Sequence, residues 1–271
     1  MDRLRLSEDK EFAHEAMKIG LFIPCYIDQF YPRVGIATLN VLTNLGLNVE
    51  YPTDQTCCGQ PVANAGYEDY SKGASELFVK NFSTYDYVVA PSGSCVLHIR
   101  DHLMHGYDSG EGSKIGERVF EFCEFLTDVI ELDRIEARFP YKVGLHPGCH
   151  GLRGLRLARA SELNVSDFDK PKSLLQKVRD LQLVELSRAD ECCGFGGTFA
   201  VTEEAVSVRM GEDRLADHLK NGAEVITGTD MSCLMHLEGL ARRRKEKIRV
   251  MHIAEILGGG DKGVGVERYK V

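Results

Sequence analysis

The sequence predicts an α/β fold built from two pseudo-symmetric βαβαβ repeats with parallel sheets, on three observations. The run Lys18-Ile19-Gly20-Leu21-Phe22-Ile23-Pro24-Cys25 is echoed by Lys142-Val143-Gly144-Leu145-His146-Pro147-Gly148-Cys149. A cysteine pattern, C…CCG…SC, occurs once in each half: Cys25, Cys57-Cys58-Gly59 and Cys95, then Cys149, Cys192-Cys193-Gly194 and Cys233. Between the cysteines, short β-type runs alternate with helical patterns, the arrangement that right-handed βαβ crossovers require.

Each element has its own signal. The two echoed runs are short strands closed by Gly/Pro turn residues and a cysteine, and a helix should follow each. In the first half that helix spans Pro32 to Leu45, with Val34, Leu39, Leu42 and Leu45 near helical spacing and Gly46 as its stop. A second strand follows, Leu47–Tyr51, matched by Leu181–Leu186, and each leads into a CCG turn. Polar-faced helices come next, Tyr67–Asn81 and Glu203–Lys220. The third strands, Tyr87–Ala90 and Glu224–Thr227, run up to Ser94-Cys95 and Ser232-Cys233.

The halves differ in length, C-x31-CCG-x35-C against C-x42-CCG-x38-C, and the extra residues around Leu163–Ser173 read as a surface excursion. A Gly/Ser/Asp stretch, Gly106–Gly116, should lead to a linking helix near Glu117–Leu132, with Val119, Phe122, Cys123, Leu126, Val129 and Ile130 on one face. Cys123 thus reads as a small buried hydrophobe. The expected organisation is an N-terminal extension over 1–17 (a short amphipathic helix in its first sixteen residues), a first repeat with linking helix over 18–132, a second repeat over 140–257, and a flexible tail over 258–271.

All eight patterned cysteines fall after strands, at the carboxyl edge where open α/β sheets bind ligands. That edge also carries helix N-termini, whose free N–H groups favour an anion. Four thiolates per half is the number that closes one iron–sulfur cluster. Disulfides fit poorly: nine cysteines is an odd count, no secretory h-region precedes the fold, and 271 residues need no covalent staple. Zinc knuckles use C-x2–4-C, and thioredoxin-like sites use C-x-x-C; neither spacing occurs, nor does a ferredoxin array. A zinc-held scaffold is the weakest reading.

Net charge is −8, which argues against a nucleic-acid partner. The dense basic run Arg242–Lys245 reads as the solvated end of a helix. No stretch reaches the ~18 apolar residues of a membrane span, so a cytoplasmic location is expected. GFGGT lacks a P-loop lysine and dinucleotide spacing. Its glycines Gly194, Gly196 and Gly197, with Gly59 and Gly93, instead let backbone N–H groups approach cluster sulfurs. His98 and His236 stand three residues beyond Cys95 and Cys233, on the same helix face. Fifth ligand, proton donor and polar support are the roles open to them; support is favoured, as for His146 and His150 beside Cys149. Met235 reads as packing.

The segments CCGQP (Cys57–Pro61), PSGSC (Pro91–Cys95), CCGFGGTF (Cys192–Phe199), CLMH (Cys233–His236) and VMHIAEIL (Val250–Leu257) resemble the cysteine-rich CCG-domain family of iron–sulfur oxidoreductases. The family includes the CCG-bearing component of heterodisulfide reductase and the iron–sulfur subunit of glycolate oxidase. The resemblance runs from about Lys18 to Leu257 and is strongest to the lactate-utilization branch. It implies an electron-transfer subunit of a complex that oxidises L-lactate to pyruvate, active with two further subunits, one of them carrying ferredoxin-type clusters. By the same resemblance Cys25, Cys57, Cys58 and Cys95 hold one cluster, and Cys149, Cys192, Cys193 and Cys233 the other. His98, His236, Gly59 and Gly194 are expected just behind these ligands. The heterodisulfide reductase relatives end each half in C-x-x-C. Both halves here end in C-x-x-His, which favours two [4Fe–4S] clusters over an expanded five-thiolate form. A thiol–disulfide redox subunit is the alternative function. No flavin or nicotinamide motif accompanies the pattern.

Overall fold

The computed structural model describes residues 17–106 and 111–260; the side chains of 103–113 are not described. The helix expected in the first sixteen residues and the tail beyond 260 lie outside the described residues.

Two separate four-stranded sheets form, each wholly parallel. In the first, β1 (Lys18–Leu21), β2 (Asn48–Glu50), β3 (Tyr87–Ala90) and β4 (Val119–Glu121) lie in the order β2-β1-β3-β4. In the second, β5 (Lys142–His146), β6 (Gln182–Leu183), β7 (Val225–Gly228) and β8 (Arg249–His252) lie in the order β6-β5-β7-β8. The predicted fold class is therefore observed, with a fourth strand added to each repeat.

The first addition corrects the linking helix. Residues Val119–Glu121 pair with β3, and only Phe122–Glu124 and a π-helical turn, Phe125–Val129, remain helical. Val119 and Phe120 suit a buried parallel strand as well as a helix, and Glu121 ends the strand. Its carboxylate accepts the N–H groups of Cys123 and Glu124, while Glu124 bonds back to the Glu121 N–H. Cys123 is buried in the core, as expected.

The crossover helices otherwise follow the sequence. Helix α1 (Cys25–Phe30) leads through Tyr31 into α2 (Pro32–Asn44), which starts with proline where no N–H is needed and ends before Gly46 at φ +81°. Helices α3 (Gln60–Asn64) and α4 (Lys72–Phe82) follow the first CCG turn, and α5 (Gly93–Gly106) follows β3. In the second repeat a π-helical turn (His150–Gly154) stands where α1 and α2 stand in the first, and the excursion closes with a helix over Lys170–Leu175. The long helices Glu204–Lys220 and Met231–Arg244 complete the second repeat, and Ile253–Leu257 follows β8.

The repeats share one core. Ile19, Val41 and Leu42 of the first belong to the same buried cluster as Val225, Leu237 and Ile256 of the second. Pairing also crosses between them: Ser92 and Asp230 form an antiparallel bridge, and the Gly93 N–H donates to Thr229 O at 3.2 Å. The carboxyl edges of both sheets are thereby brought to one place.

Candidate metal centre

In each sheet the chain runs outward in opposite directions from a central pair of strands, β1 and β3 or β5 and β7. The crevice between such strands opens at their carboxyl ends. Cys25 and Cys95 follow β1 and β3, and Cys149 and Cys233 follow β5 and β7. The CCG turns after β2 and β6 reach the same crevices.

The sulfurs converge as a chain of contacts in each repeat. Cys25 Sγ lies 3.7 Å from Cys57 Sγ, and Cys58 Sγ lies 3.4 Å from Cys95 Sγ. Contact between Cys57 and Cys58 joins the two pairs. The second repeat reproduces the order Cys149, Cys192, Cys193, Cys233. All nine cysteines are free thiols. A ring nitrogen of His146 and the Sγ atoms of Cys193 and Cys233 also lie within 4.8 Å of one another.

Both turns are built alike. Gly59 (φ +91°) and Gly194 (φ +83°) occupy left-handed backbone that side-chain-bearing residues avoid. This curl aims the Gly59 N–H at Cys57 Sγ (3.4 Å) and the Gly194 N–H at Cys192 Sγ (3.3 Å). The thiol of Cys25, then that of Cys58, hydrogen-bonds Cys57 and holds it well below the usual thiol range; the Gly59 N–H adds to this. Cys192 is lowered in the same way by Cys149, Cys193 and Gly194. Contact with these thiolates and burial push Cys25 and Cys149 upward. Each quartet therefore stabilises anionic sulfur at one position.

One cavity is lined by all eight cysteines, with about 800 Å³ of empty space counting its open mouth. Between the quartets stands Asp230, almost fully buried, a residue that none of the sequence motifs marks. One of its oxygens accepts the Ser232 N–H (3.1 Å) at the start of its own helix. The other accepts the Ser94 N–H (2.7 Å) at the start of α5 in the other repeat. Tyr26 and Phe195, one from each repeat, meet edge-to-face at 6.0 Å and line the same cavity.

The two histidines stand behind the ligands rather than in the cavity lining. His98 is buried, stacks on His102 at 4.1 Å between ring centres, and lies against Gly59. Burial, then the charge of His102, lowers its pKa to about 4. His236 contacts the Ser207 carbonyl through Nε2 at 3.3 Å; burial lowers its pKa. His146 is fully buried, and burial and then Arg214 lower its pKa to about 3. His150 lies 3.9 Å from Cys149 Sγ and lines the cavity.

The donor set fits iron–sulfur clusters. Each repeat offers four soft sulfur ligands from three separated segments, backbone N–H groups directed at sulfur, and a shielded surround. The buried Nε2 of His146 has no hydrogen-bond partner among the described residues. No helix among the described residues is long and apolar enough to cross a membrane.

The pattern of the family described as "CCG: Cysteine-rich domain" matches residues 19–100 and 143–238. Lactate utilization protein A of an Exiguobacterium species is 39% identical over 250 residues, covering 90% of this chain and 98% of that protein. The proteins of the same name from Geobacillus kaustophilus and Bacillus subtilis are 38% and 36% identical over 245 residues. Each alignment covers 89% of this chain, with 98% and 99% of those proteins. Among solved structures, glutamate racemase from Bacillus anthracis aligns with 90% of this chain and 79% of its own, at 11% identity and a TM-score of 0.34, too slight a likeness to bear on function.

Proposed function

Because the chain belongs to the cysteine-rich CCG-domain family and is 36–39% identical over about nine-tenths of its length to proteins named lactate utilization protein A, we propose that it is the iron–sulfur electron-transfer subunit of a cytoplasmic complex oxidising L-lactate to pyruvate. The observation that carries this reading is the meeting of two four-thiol quartets in one cavity. Cys25, Cys57, Cys58 and Cys95 would hold one [4Fe–4S] cluster; Cys149, Cys192, Cys193 and Cys233 would hold the other. Such clusters, when bound, accept and release single electrons.

The chain's own groups would do the rest. The N–H groups of Gly59 and Gly194 neutralise part of the thiolate charge. Asp230 fixes the spacing of the sites by holding one helix start from each repeat. The cavity wall limits water around both quartets, and the open mouth leaves an approach for a redox partner. Hydride chemistry on a hydroxy acid calls for a flavin or nicotinamide, and the sequence carries no motif for either, so the hydroxy-acid chemistry is assigned to a partner subunit. Two further subunits are proposed, one with ferredoxin-type clusters.

Anaerobically purified protein should contain about eight irons with matching acid-labile sulfide, the sum of two four-iron sites. The electrons lactate gives to the purified complex should bleach its visible absorption. Stoichiometric zinc in place of iron would overturn the proposal.

A further inference from the structure

The two quartets stand against different walls. In the first repeat Phe22 follows β1 and packs edge-to-face on Phe78 (5.3 Å) and Phe82 (5.8 Å). Phe82 lies over Gly20, where a Cβ would come within 2.7 Å of its Cδ1. In the second repeat His146 takes the place of Phe22 at the end of the matching strand. His218 lies over Gly144 as Phe82 lies over Gly20, a Cβ there falling 2.2 Å from its Nδ1. Arg214, one turn before His218, takes the place of Phe78, one turn before Phe82. An aromatic trio is thus replaced by two histidines and an arginine, all three essentially inaccessible to solvent.

The arginine fixes the proton on His146. Arg214 Nε donates to His146 Nδ1 at 3.2 Å, and a guanidinium cannot accept. Nδ1 therefore carries the lone pair, and the ring proton sits on Nε2. Arg214 is itself anchored by the Arg188 carbonyl at 2.5 Å and Asp217 at 3.4 Å, so the ring is held from behind. His146 Nε2 is buried and has no partner among the described residues, while the ring stands within 4.8 Å of Cys193 and Cys233 Sγ. A buried donor needs an acceptor, and the sulfur of this site is the one at hand. The same proton makes Nε2 a donor rather than a metal ligand.

We infer that His146 donates its Nε2 hydrogen to sulfur of the second centre, and that with Arg214 behind it this centre has the higher reduction potential of the two. Hydrogen bonds to sulfur and nearby positive charge both favour the reduced, more negative cluster. The phenylalanine wall of the first site offers neither. A single electron shared between the centres then resides mainly on the second. This inference rests on the proposal that both quartets carry clusters.

The test is an EPR-monitored redox titration of the anaerobic holoprotein, preceded by iron analysis. Absence of iron would remove the cluster reading itself, independently of any difference between the two potentials. With both sites filled, two reduction steps are expected. His146→Leu should lower only the upper step, by at least tenfold in its one-electron equilibrium, about 59 mV. His146→Gln, which keeps an N–H near the Nε2 position, should restore it. If His146→Leu empties the second site instead, the step that disappears must be the upper one. On wild-type protein labelled with 15N-histidine, pulsed EPR should show weak nitrogen coupling at the higher-potential centre. Coincident steps, loss or lowering of the lower step, an unmoved upper step, or coupling strong enough for an Fe–N bond would each overturn the inference.

Discussion

Asp230→Ala should loosen the join between the repeats. In the native chain the carboxylate accepts two helix-start N–H groups, Ser94 at 2.7 Å and Ser232 at 3.1 Å, together with the Ser232 hydroxyl at 2.5 Å. Losing a helix cap costs about 1–2 kcal/mol, and two are lost here. The Ser94 N–H is also left in a buried position, which adds about 1 kcal/mol or more. The expected destabilisation is therefore about 3–5 kcal/mol. Asp230→Asn keeps one oxygen and turns an amide N–H toward one of the two helix starts, so it should cost about half as much. Urea unfolding of the metal-free, reduced protein, followed by far-UV circular dichroism, measures both. The native chain should unfold in one transition, and the alanine variant earlier or in two. An alanine variant within about 0.5 kcal/mol of wild type, the size of an ordinary surface change, would refute the double-capping role.

Other expectations follow from the same geometry. Cys58→Ser and Cys193→Ser should each cut iron content to about half, one cluster of two, while Cys123→Ser, buried in the core, should leave it unchanged. Gly194→Ala should deplete the second site, because its Cβ would fall 2.7 Å from Ser207 O in a left-handed backbone. Gly197→Ala meets no atom closer than 3.8 Å and should cost only the backbone term, about 1–2 kcal/mol, readable by the same iron assay and by unfolding. His252 is buried and neutral, its pKa lowered by burial to about 4. An unfolded imidazole binds a proton from about pH 6.5 downward, so its contribution is present above that pH and fades as the pH falls through about 4. It amounts to about 3 kcal/mol for the full shift. His252→Asn retains a cap for the Ala254 N–H and should remove one proton's share of the slope of stability against pH between those values, leaving the share of the other buried histidines in place.

How much the sequence discloses depends on whether the signal is local. The cysteine quartets were legible because their spacing repeats and because each follows a strand-and-turn signature, so that topology alone brings distant residues together. The strand Val119–Glu121 was not: Val119 falls in helical spacing with Phe122, Cys123 and Leu126, and only pairing with β3 decides for a strand. Asp230 precedes Met231-Ser232-Cys233 as a helix cap should, yet its second partner, Ser94, lies 136 residues away. Arg214 sits among charged neighbours on a polar-faced helix, where solvent exposure is the natural expectation; its burial behind His146 follows from tertiary packing alone. The substitution of Phe22 by His146 between the repeats was visible in the sequence and was the signal that could have found this wall.

The most direct measurement is metal and sulfide analysis with EPR on protein purified without oxygen. About eight irons per chain, matched by inorganic sulfide and giving signals from two reducible centres, is the outcome that two four-thiolate sites demand. Zinc at one or two per chain, or iron without sulfide, would contradict it.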